Sequence, residues 1–279
     1  MANRDLVLSN YAAAFIDLLG QRDQLKGCDL LPDKIEDVVP LAQASIAAIR
    51  WLHDGLAHFY SALTEDPGDG DKKIDHPRAG EIRAVALKYQ RFSDGLVIYL
   101  SLMGEVRPEV VNGLYGLIAS SGSLCLLGLT GKRPVRGGIA IAWGAELNEN
   151  ELYGCVVARS YELESKIAGF PRIVVGEHVA NYLQSVMRLD GDDLAIRYCR
   201  ELAAVTHSLL GRDTDGTLIV DYLGQGFRKY IAKTLKSDDY RGASDFIKEQ
   251  LDHWRAAGDE KLFQRYVALK TYFERSGIS

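Results

Sequence analysis

The chain has 279 residues, of which 47% are apolar and 25% are charged, and its formal net charge is −5. These values are ordinary for a globular protein and exclude a disordered, collagen-like or disulfide-framework chain. A net acidic chain does not bind nucleic acid through bulk charge, so we predict no nucleic-acid binding. Any phosphate ligand would need local arginines, lysines, backbone amides or metal ions.

The first part of the chain predicts alternating strands and helices. An apolar run from Leu6 to Leu19 predicts a buried strand. Apolar residues at helical spacing predict a long helix from Leu41 to Leu63, and a polar loop follows from Asp66 to Lys73. Two short runs, Ile82 to Tyr89 and Leu96 to Leu102, flank a glycine-containing turn and predict a hairpin.

A 22-residue run without charge, from Val110 to Gly131, is long enough to span a bilayer. Its short polar residues dilute the transfer energy, which favours a helix buried under a sheet. The N-terminus lacks a signal-peptide pattern, and the four cysteines form no CxxC pair. We therefore predict a cytoplasmic protein with reduced thiols and no membrane insertion.

Four further segments complete the predicted core. Arg136 to Trp143 and Arg172 to Val175 read as strands, and Gly154 to Ile167 and Glu177 to Met187 as helices. The resulting order predicts an α+β fold with a ferredoxin-like, split βαββαβ core: an antiparallel sheet with its helices on one face.

The remainder of the chain differs in composition, because all seven prolines lie within the first 171 residues. It contains a strand candidate, Thr217 to Tyr222, and three amphipathic helical stretches between Gln225 and Arg275. We predict a first domain over residues 1–190 and a mostly helical C-terminal extension over residues 191–279.

Common catalytic signatures are missing from the sequence. There is no GxSxG, HExxH or P-loop pattern, and the six histidines are dispersed. Asp213 and Asp215 have the spacing that opens a calcium loop, but no glutamate closes it, so we predict a plain turn.

Two aspartates occupy unusual positions. Asp17 lies within the apolar first strand, and Asp94 lies at the tip of the hairpin, where an ordinary turn residue is the alternative. A carboxylate in an apolar run is costly unless it is paired or binds a metal. If the first strand lies beside the hairpin, the two carboxylates converge. Such a pair suits Mg²⁺ or Mn²⁺, the hard ions that accompany polyphosphates.

Four segments, in order, resemble motifs of the class III nucleotide cyclases. They are FIDLLG at 15–20, SDG at 93–95, RGGI at 136–139, and 151–164, which ends in YELE. The resemblance covers about residues 8–190 and implies a palm-like cyclase core. It implies that Asp17, Asp94 and the Leu18 carbonyl hold two divalent ions, Mn²⁺ or Mg²⁺. Backbone amides of residues 18–21, with Leu19 and Gly20 among them, would cradle the phosphates.

The sequence departs from the family at three positions. Ala158 stands where the family has its transition-state asparagine, and Glu162 stands where it has an arginine. The resemblance then leaves Arg159, from the second subunit, to stabilise charge on phosphorus, which implies a homodimer with composite active sites. Gln90 stands at the purine-sensing lysine, so a conventional adenylyl or guanylyl cyclase is disfavoured.

Within this family the pattern is most similar to the bacterial pyrimidine cyclases of the Pycsar anti-phage systems. By position, uracil recognition would fall to Tyr11 and Arg91; the alternatives are a strand-edge aromatic and a solvated charge. An arginine fork suits the two carbonyls of uracil, whereas the amine of cytosine would face it badly.

The resemblance therefore implies an enzyme that cyclises UTP, or CTP, to the 3′,5′-cyclic monophosphate and pyrophosphate for a downstream effector in anti-phage defence. Two alternatives stay open. One is a cyclase-homology domain that has lost catalysis and serves as a nucleotide sensor or dimerisation module, and the other is a purine cyclase.

Overall fold

The computed structural model describes residues 7–21, 34–64, 84–92, 94–231, 235 and 237–277. Eight strands lie within them: β1 (Ser9–Leu18), β2 (Lys88–Arg91), β3 (Gly95–Ser101), β4 (Val135–Asn148), β5 (Glu151–Tyr153), β6 (Ile173–Val175), β7 (Leu210–Arg212) and β8 (Leu218–Val220). The same residues contain eight α-helices: α1 (Val39–Thr64), α2 (Pro108–Thr130), α3 (Cys155–Glu162), α4 (Glu177–Met187), α5 (Leu194–Ser208), α6 (Gln225–Ile231), α7 (Ser237–Ala257) and α8 (Glu260–Arg275). A π-helical turn, Leu163–Ala168, continues α3. The predicted loop from Asp66 to Lys73 lies outside the described residues, as does Ile82, where the second strand was predicted to begin.

The strands form one sheet in the order β2–β3–β1–β4–β6–β8–β7, with β5 paired to β4. β1 lies between β3 and β4 and is antiparallel to both. β6 runs parallel to β4, and the other pairings are antiparallel. This mixed architecture confirms the α+β class, and the predicted hairpin does lie beside the first strand.

The side chains of β1 alternate between the two faces of the sheet, as the two-residue period of a strand requires. On one face lie Ala12, Ala14, Ile16 and Leu18, buried in a large core with α1 and α2. On the other face, Tyr11 and Ala13 join a smaller cluster. We call the first the helix face and the second the open face.

Helix α2 confirms the predicted buried helix, since every residue from Val110 to Leu126 is buried. Its serine hydroxyls donate to backbone carbonyls one turn earlier, which satisfies them without water. Gly116 lets α1 approach closely, because a Cβ there would lie 2.5 Å from Thr64 Cγ2. By length and composition α2 is the one described helix that could cross a membrane, and 94% of its most apolar 18-residue window is buried inside the protein.

Helix α3 corrects the expectation that the helices share one face. It packs on the open face, where Val156 joins Tyr11 and Tyr99. Gly138 of β4 makes this possible: a Cβ there would lie 2.3 Å from the Ser160 carbonyl oxygen. Only glycine admits the helix backbone this close to the strand.

The segment after residue 190 continues both the sheet and the core. β8 pairs with β6, and β7 pairs with β8. Helix α5 packs on α4 and α2, and α7 packs on α2. Helix α5 was not predicted, although Asp193 caps it by accepting from the N–H groups of Ala195 and Ile196. The division at residue 190 stays a prediction, with one large core shared by both parts.

Arg172, just before β6, ties this C-terminal segment to the sheet. Its side chain is buried and donates to Asp213 Oδ2 and Asp215 Oδ2, both at 2.8 Å, and to two backbone carbonyls. The predicted plain turn is confirmed, with Gly216 N–H donating to the Asp213 carbonyl at 3.0 Å. Burial opposes ionisation of Asp215, but hydrogen bonds from Arg172 and Thr217 outweigh it and lower its pKa to about 2.

Candidate functional site

Asp17 and Asp94 lie beside each other at the carboxyl end of β1. Asp17 is in register with Gly95 of β3 and Arg136 of β4. The Leu18 N–H donates to the Asp94 carbonyl at 3.1 Å. Gly95 lies next to the Asp17 side chain, since a Cβ at that position would lie 3.5 Å from Asp17 Oδ1. Strand pairing therefore brings Asp17, Leu18 and Asp94 to one end of the sheet.

A buried ion pair adjoins these carboxylates. Arg136 Nε donates to Glu164 Oε1, and Arg136 Nη2 lies 3.9 Å from Asp17 Oδ2. Burial raises the pKa of Glu164, the charge of Asp94 acts in the same direction, and Arg136 opposes both. No role was predicted for Arg136 or Glu164, although both stand in the segments that resemble cyclase motifs. Only their contact in the folded chain identifies these two residues, and the sequence does not show that contact.

The charge at this end of the sheet fits a divalent cation. Asp17, Asp94, Glu164 and Arg136 together leave two negative charges in excess, and the donors are oxygens, which Mg²⁺ and Mn²⁺ prefer. Within the described part of the chain, no three His, Cys, Asp or Glu side chains are grouped as a complete metal site.

The turn after β1 offers fewer free amides than predicted. The N–H groups of Leu18 and Leu19 both donate within the sheet, the second to the Pro134 carbonyl at 2.9 Å. Gly20 has a φ of +88°, in the left-handed region that favours glycine. The predicted cradle of residues 18–21 is thus reduced to the amides of Gly20 and Gln21.

Tyr11 lies on the open face but six residues before Asp17, about 20 Å along the strand. Its ring contacts Tyr99 edge-on, and its hydroxyl donates to Glu146 Oε1 at 3.4 Å. Burial, followed by the Glu146 charge, raises its pKa. Within one chain, Tyr11 is a core residue and does not adjoin the carboxylates.

Arg91 is exposed and lies toward the helix face. It pairs with Leu96, whose side chain is in the helix-face core. Burial, followed by the charge of Arg91, lowers the pKa of His53 on α1, which places the guanidinium on that side. The structure therefore does not bring Arg91 and Tyr11 together within one chain.

Arg159 is exposed on α3 and lies toward the far end of the sheet. It lines two adjoining clefts of about 290 and 480 Å³, both of which also contain Ile141 and His178. Ile141 pairs with Ala12, which is five residues, or about 16 Å, before Asp17. The two clefts that Arg159 lines do not include Asp17. His178 was not predicted here, because a lone histidine carries no specific signal.

No protein-family model, curated protein or solved structure matches this chain. The resemblance to cyclases therefore rests on the sequence motifs alone. Any proposal for function depends on those motifs together with the geometry of Asp17, Asp94, Arg136 and Glu164.

Proposed function

We propose that this chain is a nucleotidyl cyclase that converts a pyrimidine nucleoside triphosphate, UTP in preference to CTP, to its 3′,5′-cyclic monophosphate and pyrophosphate. The observation that carries the proposal is the placement of Asp17 beside Asp94 at one end of a central strand. The Asp17 side chain is 22% exposed, so a ligand can reach it.

In this reaction the ribose 3′ oxygen bonds to the α phosphorus. The bond from that phosphorus to the pyrophosphate oxygen breaks, and the hydroxyl proton passes to solvent. Asp17, Asp94 and the Leu18 carbonyl would hold two divalent ions, Mn²⁺ or Mg²⁺. When bound, these ions lower the pKa of the 3′-hydroxyl and neutralise the triphosphate. Arg136, held by Glu164, offsets part of the carboxylate charge.

The proposal includes a homodimer joined through the open face. Two large aromatic side chains that contact Phe15 are exposed there, Phe92 and Tyr161. A partner packed on this face would bring its own Arg159 toward Asp17, whereas the uracil-reading role of Tyr11 and Arg91 depends on the sequence resemblance alone. We also infer a cytoplasmic location and a downstream effector that reads the cyclic nucleotide.

The first test incubates the purified protein with each of the four nucleoside triphosphates and Mn²⁺, and identifies products by mass. Cyclic UMP is the expected product, and Asp17→Asn or Asp94→Asn should reduce its formation at least 100-fold. Asp245→Asn, an exposed change on α7, is the matched control and should retain full activity. Undiminished activity in both active-site variants would contradict the metal assignment. A cyclic purine as the main product would contradict the role given to Arg91.

A mixing experiment tests the composite sites. Asp17→Asn and Arg159→Gln should each be inactive alone. Once mixed and allowed to exchange subunits, they should recover about one quarter of the wild-type activity, because half of the dimers then hold one intact site of two. Recovery of no activity, with exchange confirmed by mass, would contradict the assignment of Arg159 to the partner subunit.

A second candidate function is a nucleotide sensor without catalysis. Glu162, at the position of the family's arginine, pairs with Lys166 at 2.8 Å and is oriented along its own helix. Ala158 offers no polar group at the position of the asparagine. Recovery of unreacted substrate from all four incubations, together with measurable nucleotide binding, would favour this function.

A further inference from the structure

A cleft of about 490 Å³ lies between the C-terminal helices α7 and α8 and the turn that follows β1. Leu19 and Gly20 form one wall, and Trp254, Arg265 and Tyr266 belong to the other. Its volume falls in the range of small-molecule sites, about 300–1,000 Å³. Apart from Leu19 and Gly20, the residues that line this cleft have no role in the proposed cyclase site.

The cleft is on the helix face, away from the Asp17 carboxylate. Phe246 of α7 and Tyr266 of α8 line it and also belong to the large core beneath α1 and α2. The Asp17 side chain is on the opposite face of the same strand, because it follows the alternation of Tyr11 and Ala13. The cleft and the Asp17 site therefore both border the turn after β1, but different side chains line them.

Two cationic side chains line the cleft. Arg265 is half-buried and makes no hydrogen bond or ion pair with any residue that the structure describes. Lys132 Nζ, also in the cleft, donates to Glu249 Oε2 at 2.6 Å, which neutralises the one carboxylate that lines the cleft among the described residues. A guanidinium with five donors that the described residues leave without a hydrogen-bond or ion-pair partner suits a phosphate or carboxylate ligand.

The helical wall that carries Arg265 also carries two aromatic side chains, and they are held in place. The Trp254 indole N–H donates to Gln250 Oε1 at 3.0 Å, which fixes the ring plane. Tyr266 is 8% exposed, and burial raises its pKa to about 12, so its hydroxyl stays a neutral donor. The Trp254 and Tyr266 rings next to the Arg265 guanidinium match a ligand that has both a planar ring and an anionic group.

We propose that this cleft binds a nucleoside 5′-monophosphate or a close aromatic phosphate, with its phosphate on Arg265 and Lys132 and its ring against Trp254. This site is separate from the Asp17 and Asp94 pair. Its occupation does not depend on catalysis or on a divalent ion.

The test is isothermal titration of the full chain with UMP and with AMP, in EDTA, with uridine and inorganic phosphate as half-ligands. At least one nucleotide should bind more tightly than either half-ligand. Arg265→Gln should weaken binding at least tenfold, because a charged hydrogen bond to phosphate is lost. Arg255→Gln is the matched control: Arg255 lies on α7, is exposed, packs over Phe263 and does not line the cleft.

Two further variants separate this proposal from the cyclase proposal. Asp17→Asn should leave binding in EDTA unchanged; a tenfold loss there would place the ligand at the other site and overturn the proposal. Lys132→Gln, an exposed change in a turn, should weaken binding and gives a second readout if Arg265→Gln does not fold. Absence of binding by both nucleotides, or equal binding by wild type and the Arg265 and Lys132 variants, would also overturn it.

Discussion

The two faces of the central sheet are built from the same strands but differ in what they bury. The helix face of β1 contributes only apolar side chains, which α1 and α2 cover. The open face carries a smaller apolar cluster, a buried ion pair and the Asp17 carboxylate, and α3 covers it in part. Because strand side chains alternate, one face can stabilise the fold while the other holds charge. The contrast separates residues that stabilise the protein from residues to which we assign its proposed chemistry.

The largest effect should come from the helix face. Leu114→Ala, at a fully buried position of α2, should lower the free energy of unfolding by about 2–5 kcal/mol, because it removes packed methyl groups and leaves a cavity. Urea denaturation measures this loss. Ile46→Ala on α1, where the side chain is 48% exposed, is the control and should change stability by less than about 0.5 kcal/mol. A loss below 1 kcal/mol for Leu114→Ala would mean that α2 is not the central packing element.

A somewhat smaller effect is expected where α3 meets the open face. Gly138→Ala should cost about 1–3 kcal/mol, because its Cβ would meet backbone atoms of α3 and displace Glu164 from Arg136. Gly176→Ala is the matched control, since its Cβ would lie 3.4 Å from the nearest atom. Urea denaturation compares the two variants. Equal stability of both would contradict the close approach described for α3.

The exposed aromatic side chains of the open face should contribute less. The Tyr161 ring meets Phe15 edge-on with ring centroids 5.2 Å apart, and Tyr161 is half exposed. Tyr161→Ala should therefore cost about 0.5–1.5 kcal/mol by thermal denaturation of the monomer. A loss above 3 kcal/mol would show that this face is as important to the fold as the helix face.

The subtlest effect should be a pH dependence from Glu164. Burial raises its pKa above the ordinary value of 4.5, so the folded protein binds this proton more readily than the unfolded chain. The stability that it contributes is therefore fully present below pH 4.5 and is lost as the pH rises through the folded pKa. The Glu164→Gln variant lacks this pH-dependent contribution to stability. Urea denaturation from pH 4 to pH 7 should show wild type losing stability relative to the variant; a constant difference would contradict the shift.

Local patterns in the sequence predict much of the helix face. Periodicity predicts the uncharged helix α2, the strand that contains Asp17 and the hairpin that includes β3, because each buries its side chains in one core. The pairing of β1 with β3 then places Asp17 near Asp94 without further information. Helix α5 could also have been predicted from the sequence, since Asp193 is a typical N-cap before an amphipathic run.

The open face depends on contacts that local patterns do not contain. In the sequence, Gly138 looks like an ordinary strand residue. In the structure, its missing side chain lets α3, which begins 17 residues later, pack closely on β4. The pairing of Arg136 with Glu164 follows from the same approach and from the π-helical turn. The positions of Tyr11 and Arg91 on opposite faces depend on strand register, which motif matching does not supply.

The Arg172 cluster has a consequence for any shortened form of the chain. A protein that ended at residue 190 would keep this buried guanidinium but lose Asp213 and Asp215, and an uncompensated buried charge costs about 3–5 kcal/mol. It would also expose the edge of β6 that now pairs with β8, together with the surface of α2 under α7, and both invite aggregation. Folding should therefore be cooperative across the whole length, with a single unfolding transition.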